Sequence, residues 1–256
     1  MDVIGDENEA AVGRRELLRG LPAAVVGGSV ALTGCGAAAG VGAGRPTPSQ
    51  TPATQAPPKQ EEVPVTPPED LMREHGVLKR ILLIYREGIR RIGAGEPVPD
   101  RALHAGTHIV RTFIEDYHEH LEERYVFPRL VKAGKLADVV SVLEQQHRSG
   151  RVLTVRIMNA TSAGATPAEQ ARRSLAADMA AFIRMYEPHE AREDTVVFPA
   201  LRDVVPLKEY AEMAEIFEAE EHRRFGAAGF TGVVNRVADI EKQLGIYNLA
   251  QFTPRT

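Results

Sequence analysis

The sequence predicts an all-α protein: an up-down-up-down four-helix bundle with one or two extra helices on its C-terminal side. From Glu69 onward, apolar residues recur with the spacing of a helix rather than the alternation of a strand. After residue 68 the composition is rich in Ala, Leu, Val, Glu and Arg, which favours helices. The connections between the expected helices are short, and short connections favour antiparallel neighbours.

Local signals place the helix ends. Asp100 is expected to cap the second helix, and Pro128 to bend it near its end. Thr166 and Pro167 are expected to open the fourth helix as its N-cap and first helical residue. In chain order, the expected helices cover about residues 69–93, 100–132, 136–162, 166–203 and 206–226, with a sixth in residues 233–245.

The first 35 residues have the features of an export signal. Arg14 and Arg15 stand where a twin-arginine signal carries its pair, and an uncharged apolar run follows between Gly20 and Gly34. The run ends in "LTGC", which resembles a bacterial lipoprotein processing site. Cys35 is the only cysteine and cannot form an intrachain disulfide, so we expect it to carry a lipid. The alternative is an uncleaved hydrophobic anchor in which Cys35 has no role.

The composition divides the rest of the chain into three parts. Residues 36–68 are rich in Pro, Ala and Gly and predict a disordered spacer, because such a stretch cannot bury a core. Residues 69–225 are expected to form the folded bundle, and residues 226–256 a C-terminal helix and tail. With the N-terminal signal, this order predicts a protein exported and tethered to the outer face of the bacterial cytoplasmic membrane, in the periplasm.

The charge balance excludes one class of partner. The chain has 31 Lys and Arg residues against 35 Asp and Glu residues, a net charge of −4. Because binding to a phosphate backbone depends on positive charge, no nucleic-acid partner is expected.

One short pattern occurs twice. "HEHLEERYVFPRL" covers residues 118–130 and "HEAREDTVVFPAL" covers residues 189–201, with seven of thirteen positions identical. His118 precedes Glu122 by four residues, as His189 precedes Glu193. Residues four apart on a helix lie on the same face, so each pair can reach one point.

Two further histidines fall at the same height in the expected bundle. His75 lies near the start of the first helix and His147 is expected in the third, level with the doubled motif when neighbours run antiparallel. Taken alone, each would be read as a packed, hydrogen-bonded histidine. Burying four imidazoles and two carboxylates together without a cation would be costly, and first-row metals prefer this donor set. The pattern therefore predicts a metal site in the bundle core.

The remaining four histidines are not expected to bind this metal. His104 and His108 also stand four residues apart, but near the opposite end of the second helix, so a half-exposed pair is favoured over a separate small site. His120 points away from the face of His118. His222 is expected at the surface or in packing, with an outer role at the site left open.

These residues resemble a known family. "EHGVL" with His75, "HEHLEERYVFP", "EQQHRSG" with His147 and "HEAREDTVVFP" are similar to the hemerythrin-like, HHE cation-binding domain, over about residues 69–225. The resemblance implies a non-haem centre of two iron ions, with Zn or Mn as weaker alternatives. The ligands that it implies are His75, His118, Glu122, His147, His189 and Glu193, the two glutamates bridging the ions.

Two departures separate this chain from oxygen-carrying hemerythrins. Those proteins use a fifth histidine four residues from the one on their third helix, where this chain has Leu143 and Arg151. Their fourth-helix acid follows its histidine by five residues, whereas Glu193 follows His189 by four. On this ligand set, two six-coordinate irons would keep about two positions open to a small ligand. The acids beside the ligands, Glu74, Glu119 and Glu190, could orient the imidazoles.

The function expected from this resemblance is binding or sensing of O₂ or a related small oxidant at the cell envelope. A second interpretation is an enzyme that handles peroxide or nitric oxide, or oxidises ferrous iron, at the same site. A third is metal binding or storage in the envelope. The chain contains no recognisable output domain for a sensor, so signalling would need a protein partner, which the sequence does not identify.

Overall fold

The computed structural model describes residues 65–162 and 168–255. The predicted export signal with Cys35, and the spacer up to residue 64, lie outside the described residues. Among the described helices, none has both the length and the apolar character of a membrane-spanning segment.

The described residues fold into six helical rods and contain no strand, which confirms the all-α prediction. The first four rods form the bundle and the last two are the extra C-terminal helices. The rods are α1 (Pro67–Gly93), α2 (residues 100–132), α3 (Ala137–Ala160), α4 (residues 169–204), α5 (Leu207–Phe225) and α6 (Gly229–Leu244).

Side-chain contacts between consecutive rods show that the bundle runs up-down-up-down. Between α1 and α2, Glu74 bonds His118 and Tyr85 bonds Thr107. The residue numbers therefore increase in opposite directions along the two helices, which are antiparallel. The same inversion relates α2 to α3, α3 to α4 and α4 back to α1. The pairs that show it are His147 with Glu123 and His104 with Met158, His189 with Gln146 and Asp178 with Arg156, and His75 with Asp194 and Arg86 with Glu187.

The start of α1 is closed by a reciprocal cap. The Thr66 hydroxyl accepts a hydrogen bond from the Glu69 amide, and the Glu69 carboxylate accepts one from the Thr66 amide. Pro67 and Pro68, expected in the spacer, form the buried first turn, where their missing N–H groups have no helical partner to lose. The helix therefore begins two residues before the expected position.

Two other helix starts differ from the expected ones. Asp100 is the first residue of α2 rather than its cap, and Pro99 occupies the cap position without a side-chain bond. The described part of α4 begins at Glu169, preceded by Ala168. The expected cap Thr166 and its neighbour Pro167 lie outside the described residues.

The doubled motif produces the same local backbone in α2 and α4. A π-helical turn covers Glu122–Val126 in one and Glu193–Val197 in the other, and each closes with a phenylalanine N–H on the carbonyl of the glutamate five residues earlier. A proline follows each phenylalanine. Because proline has no N–H, the α-helical hydrogen-bond ladder is interrupted there and a wider turn is accommodated. A longer π-helical segment, Val110–His118, precedes the motif in α2.

The extra helices cover one side of the bundle. α6 packs against α1 and α2, and α5 packs against α6 and α1. Arg80 of α1 binds Glu241 of α6 through two hydrogen bonds of 2.9 and 2.6 Å. Side chains of both helices, among them Phe217 and Val233, join the same hydrophobic core as those of the bundle.

Candidate metal centre

Four imidazoles, one from each helix of the bundle, meet in its interior. His75, His118, His147 and His189 are between 0 and 3% exposed. They form two pairs, since the ring centroids are 4.7 Å apart for His75 and His118 and 4.9 Å apart for His147 and His189. Pro188 lies inside α4 directly before His189, and the helix continues through it.

Two fully buried carboxylates lie between the histidine pairs. Each places one oxygen near the Nε2 atom of one histidine from each pair, so each can bridge two positions. The contacts are Glu122 Oε2 with Nε2 of His118 at 3.5 Å and of His147 at 3.6 Å, and Glu193 Oε2 with Nε2 of His75 at 3.4 Å and of His189 at 3.2 Å.

The carboxylate oxygens show that this donor set fits a cation. Within the described residues, none of the four side-chain oxygens of Glu122 and Glu193 has a hydrogen-bond partner. Buried carboxylates without partners are strongly unfavourable, so a positive ligand is expected between them. The donor atoms form two groups, each lying within 4.8 Å: His75, His118, Glu122 and Glu193, and His147, His189 and Glu193.

A ring of hydrogen bonds around the bundle holds the imidazoles with Nε2 inward. Each Nδ1 atom contacts a side chain of another helix, which orients the imidazole and points Nε2 toward the interior, where the Nε2 atoms of His147 and His189 lie 3.2 Å apart. The links are Glu74 (α1) with His118 at 2.9 Å, Glu123 (α2) with His147 at 2.9 Å, Gln146 (α3) with His189 at 2.9 Å, and Asp194 (α4) with His75 at 2.7 Å.

A model of the hemerythrin HHE cation-binding domain matches residues 66–201 of the chain. The chain belongs to this family. The matched residues contain all six side chains and the four helices that carry them, apart from the last three residues of α4. These four helices therefore form the HHE domain of the chain.

The HHE chain also has close full-length relatives. The uncharacterized proteins Rv1995 of Mycobacterium tuberculosis and Mb2018 of Mycobacterium bovis are each 61% identical to it over 246 residues. The alignment covers 96% of this chain and 92% of each relative. No solved structure matches.

Of the three acids expected to orient imidazoles of the HHE domain, only Glu74 does so. Glu119 accepts a hydrogen bond of 2.7 Å from the Tyr186 hydroxyl and pairs with Arg151 at 2.8 Å. Glu190 pairs with Lys79 at 3.1 Å.

Sequence reasoning missed the other three outer partners, Asp194, Glu123 and Gln146. A signal existed for two of them, because an acid follows the glutamate donor in both copies of the motif. Gln146 precedes His147 as Glu74 precedes His75, and this parallel could have identified it.

The repeated phenylalanine covers the donors. Phe127 stacks on the ring of His147 with centroids 5.7 Å apart, and Phe198 stacks on His75 at 5.6 Å. Each phenylalanine directly follows the π-helical turn of its motif, so the wider turn sets where the ring lies. The Phe-Pro repeat thus places an apolar lid over one imidazole on each side of the HHE site.

The electrostatics of the HHE site combine neutral and charged side chains. Burial lowers the pKa of His147 to about 4, against the effect of Glu123, so this imidazole is neutral at pH 7. Burial also disfavours charge on His75, but the hydrogen bond to Asp194 and the charge of Glu193 outweigh it and raise the pKa to about 9. Burial and the neighbouring Glu193 carboxylate raise the pKa of Glu122.

Arg151 occupies a third group of possible donors, formed by Glu119, Glu123 and His147. Its guanidinium lies 2.8 Å from a carboxylate oxygen of each glutamate. Arg151 stands at one of the places where oxygen carriers have their fifth histidine, and here its charge is bound by acids. Leu143, at the other place, is buried in the hydrophobic core.

The other histidines lie apart from the HHE donors. His104 is half-buried, with Nδ1 3.2 Å from the Thr161 hydroxyl, and His108 is exposed. Both line a surface cavity of about 740 Å³ next to α6. Within the described part of the chain, no group of three possible metal donors includes them. His120 is half-buried and His222 is exposed.

Proposed function

We propose that this HHE protein holds two iron ions and binds or senses O₂ or a related small oxidant. The observation that carries the proposal is the position of the two carboxylates. Each has an oxygen within 3.6 Å of one imidazole of the first pair and one imidazole of the second. Such an arrangement suits two neighbouring cations bridged by two carboxylates. Two ferrous ions would bring four positive charges, of which the glutamates offset two.

The chemistry of the donors allows iron, and the family selects it among the metals that fit. Neutral imidazole and carboxylate suit Fe, Zn and Mn alike, and the family resemblance favours iron. When bound, a pair of irons would supply electrons and open coordination positions for a small ligand. Four histidines would hold the ions, and the outer partners would keep each Nε2 aimed inward.

Burial restricts what can reach the site. The six donors are at most 3% exposed, and Phe127 and Phe198 stack over two of the imidazoles. A bulky or charged substrate would have to open the bundle, whereas a diatomic gas or peroxide needs only small fluctuations of packed side chains. This favours a small, neutral ligand over an organic substrate.

Metal analysis and absorption spectra test the proposal. Purified protein should contain two irons per chain, and air exposure of the reduced form should add a charge-transfer band that needs both iron and O₂. His118→Ala and Glu193→Ala should each lower bound iron well below two per chain, with His104→Ala as the matched control. Unchanged iron in both variants would reject the assignment.

The same preparation separates the alternative functions. Multiple turnovers of hydrogen peroxide or nitric oxide by the iron-loaded protein would assign the site to catalysis. Preferential retention of Zn or Mn, with no response to O₂, would assign it to metal binding or storage.

We also propose that the HHE domain is tethered outside the cytoplasm through a lipid on Cys35. The motivation is the "LTGC" run after the basic and apolar segments. Cys35→Ser should move the protein from the membrane fraction to the soluble fraction and abolish incorporation of labelled fatty acid. Replacing Arg14 and Arg15 by Lys should block export if the twin-arginine route is used. Retention of Cys35→Ser at the membrane would contradict the lipid anchor.

A further inference from the structure

The ring of outer hydrogen bonds has an internal two-fold pattern. The residue before the histidine of α1 or α3 contacts the histidine of the next helix, and the residue after the glutamate donor of α2 or α4 contacts the other two histidines. In this pattern Glu74 corresponds to Gln146, and Asp194 corresponds to Glu123. Three of the four links therefore end on a carboxylate and one ends on an amide.

The amide lies on one side of the centre only. His75 and His118 both contact carboxylates, Asp194 and Glu74, whereas His189 contacts the neutral Gln146. A carboxylate acceptor withdraws the Nδ1 proton and makes the imidazole a stronger metal ligand. It also places negative charge near the cation, where water is largely excluded.

Arg151 weakens the remaining carboxylate on that same side. A single Glu123 oxygen, Oε1, lies 2.9 Å from His147 Nδ1 and 2.8 Å from Arg151 Nη2. The guanidinium offsets the charge of this carboxylate and competes for the oxygen. His147 thus contacts a carboxylate that also binds Arg151, and His189 contacts an amide.

The inner donors of the two histidine pairs also differ, and this difference again favours the position at His75 and His118. His75 and His118 share a single group of close donor atoms with both Glu122 and Glu193. His147 and His189 share theirs with Glu193 alone. The first pair therefore presents the more complete set of ligands without any movement of the chain.

We propose that the two cation positions are unequal, that the position at His75 and His118 fills first, and that Glu74 is the positioning residue that sets the difference. Gln146 is its weak counterpart at the second position. The inference rests on the two-ion centre proposed above. Loss of an outer partner of this kind typically lowers metal affinity about 10- to 100-fold.

A metal titration with matched variants tests the inference. Chelator-stripped full-length protein is titrated with Zn²⁺ against a chromophoric chelator, which avoids redox chemistry. The native chain should show two dissociation constants about tenfold or more apart. Glu74→Gln should raise the lower constant about 10- to 100-fold and merge the two steps. Gln146→Glu should lower the higher of the two dissociation constants and so reduce the difference between them.

The location of the first ion gives an independent readout. In crystals of protein loaded with one equivalent of Zn²⁺, the anomalous signal should lie between His75 and His118. A first ion between His147 and His189, or two equal constants in the native chain, would overturn the inference. Gln146 is half-buried, so its variant should keep the fold and provide a test even if Glu74→Gln loses its helical circular dichroism. Binding of fewer than two ions at saturation would instead reject the two-ion centre itself.

Discussion

His75 shows how one side chain couples metal binding to pH. Its pKa in the metal-free chain is about 9, because Asp194 and Glu193 favour the protonated form more than burial opposes it. The raised pKa means that the imidazole carries a proton at pH 7, and a metal must displace it. Metal affinity should therefore rise as pH increases from about 6.5 to about 9, and level off above.

Proton release measures this coupling. Isothermal titration calorimetry at pH 7, in buffers of different ionisation enthalpy, should show about one proton or more released when the site is loaded. Asp194→Asn replaces the carboxylate beside Nδ1 by a neutral amide, which favours the protonated imidazole less, so fewer protons should be released. Affinity that stays constant between pH 6.5 and pH 9 would contradict the charge assigned to His75.

Gly150 is a second residue whose size matters. An added Cβ would overlap the Tyr186 hydroxyl, which donates to Glu119. Gly150→Ala should therefore destabilise the fold by about 1–3 kcal/mol, measured by denaturant unfolding. The control is Gly76→Ala, also in a helix, where the new methyl meets no atom within 4 Å. It should stabilise the fold by up to about 1 kcal/mol. A neutral Gly150→Ala would contradict the close packing of α3 on α4.

Individual residues were predictable to different degrees. The six side chains that meet in the bundle interior could be singled out because residue type, four-residue spacing and helix height all converge on them. Glu119 and Glu190 were expected to support imidazoles, but a tyrosine, an arginine and a lysine bind them instead. Adjacency in sequence cannot tell which helix a side chain will face, because neighbours on a helix point about 100° apart.

At the level of the helix, the cap of α1 carries a testable contribution. Thr66→Ala removes the hydroxyl that accepts from the Glu69 amide and should cost about 1 kcal/mol of stability, seen as a lower melting temperature. Glu69→Gln is the control, since glutamine also completes a capping box. A melting temperature unchanged by Thr66→Ala would contradict the contribution of the cap, and a loss in Glu69→Gln would show that the charge of Glu69 also stabilises the helix start.

The helices themselves followed from periodicity, but their π-helical turns did not. A five-residue turn such as Glu122–Val126 is too short to change an apolar pattern read over three or four turns. The only visible trace was the repeated Phe-Pro, which was expected to bend α2 at Pro128. In the structure the hydrogen-bond register changes directly before Pro128, and the same change occurs in α4.

For the whole molecule, metal removal should lower stability. The site joins all four helices, and without a cation its two buried carboxylates have no hydrogen-bond partner among the residues that the structure describes. A metal ion whose free concentration is about 1,000 times its dissociation constant adds about 4 kcal/mol to the free energy of unfolding. Chelation should therefore lower the melting temperature of the native protein but barely affect His118→Ala. An unchanged melting temperature after verified metal removal would favour a purely structural bundle.

The closed ring of outer hydrogen bonds has a consequence for the sliding of the helices. Each helix both supports the imidazole of one neighbour and has its own imidazole supported by another. A shift of one helix along its axis by a single turn, about 5.4 Å, would break one bond that it gives and one that it receives. The four links thus fix the axial register of the helices relative to one another before any ion binds.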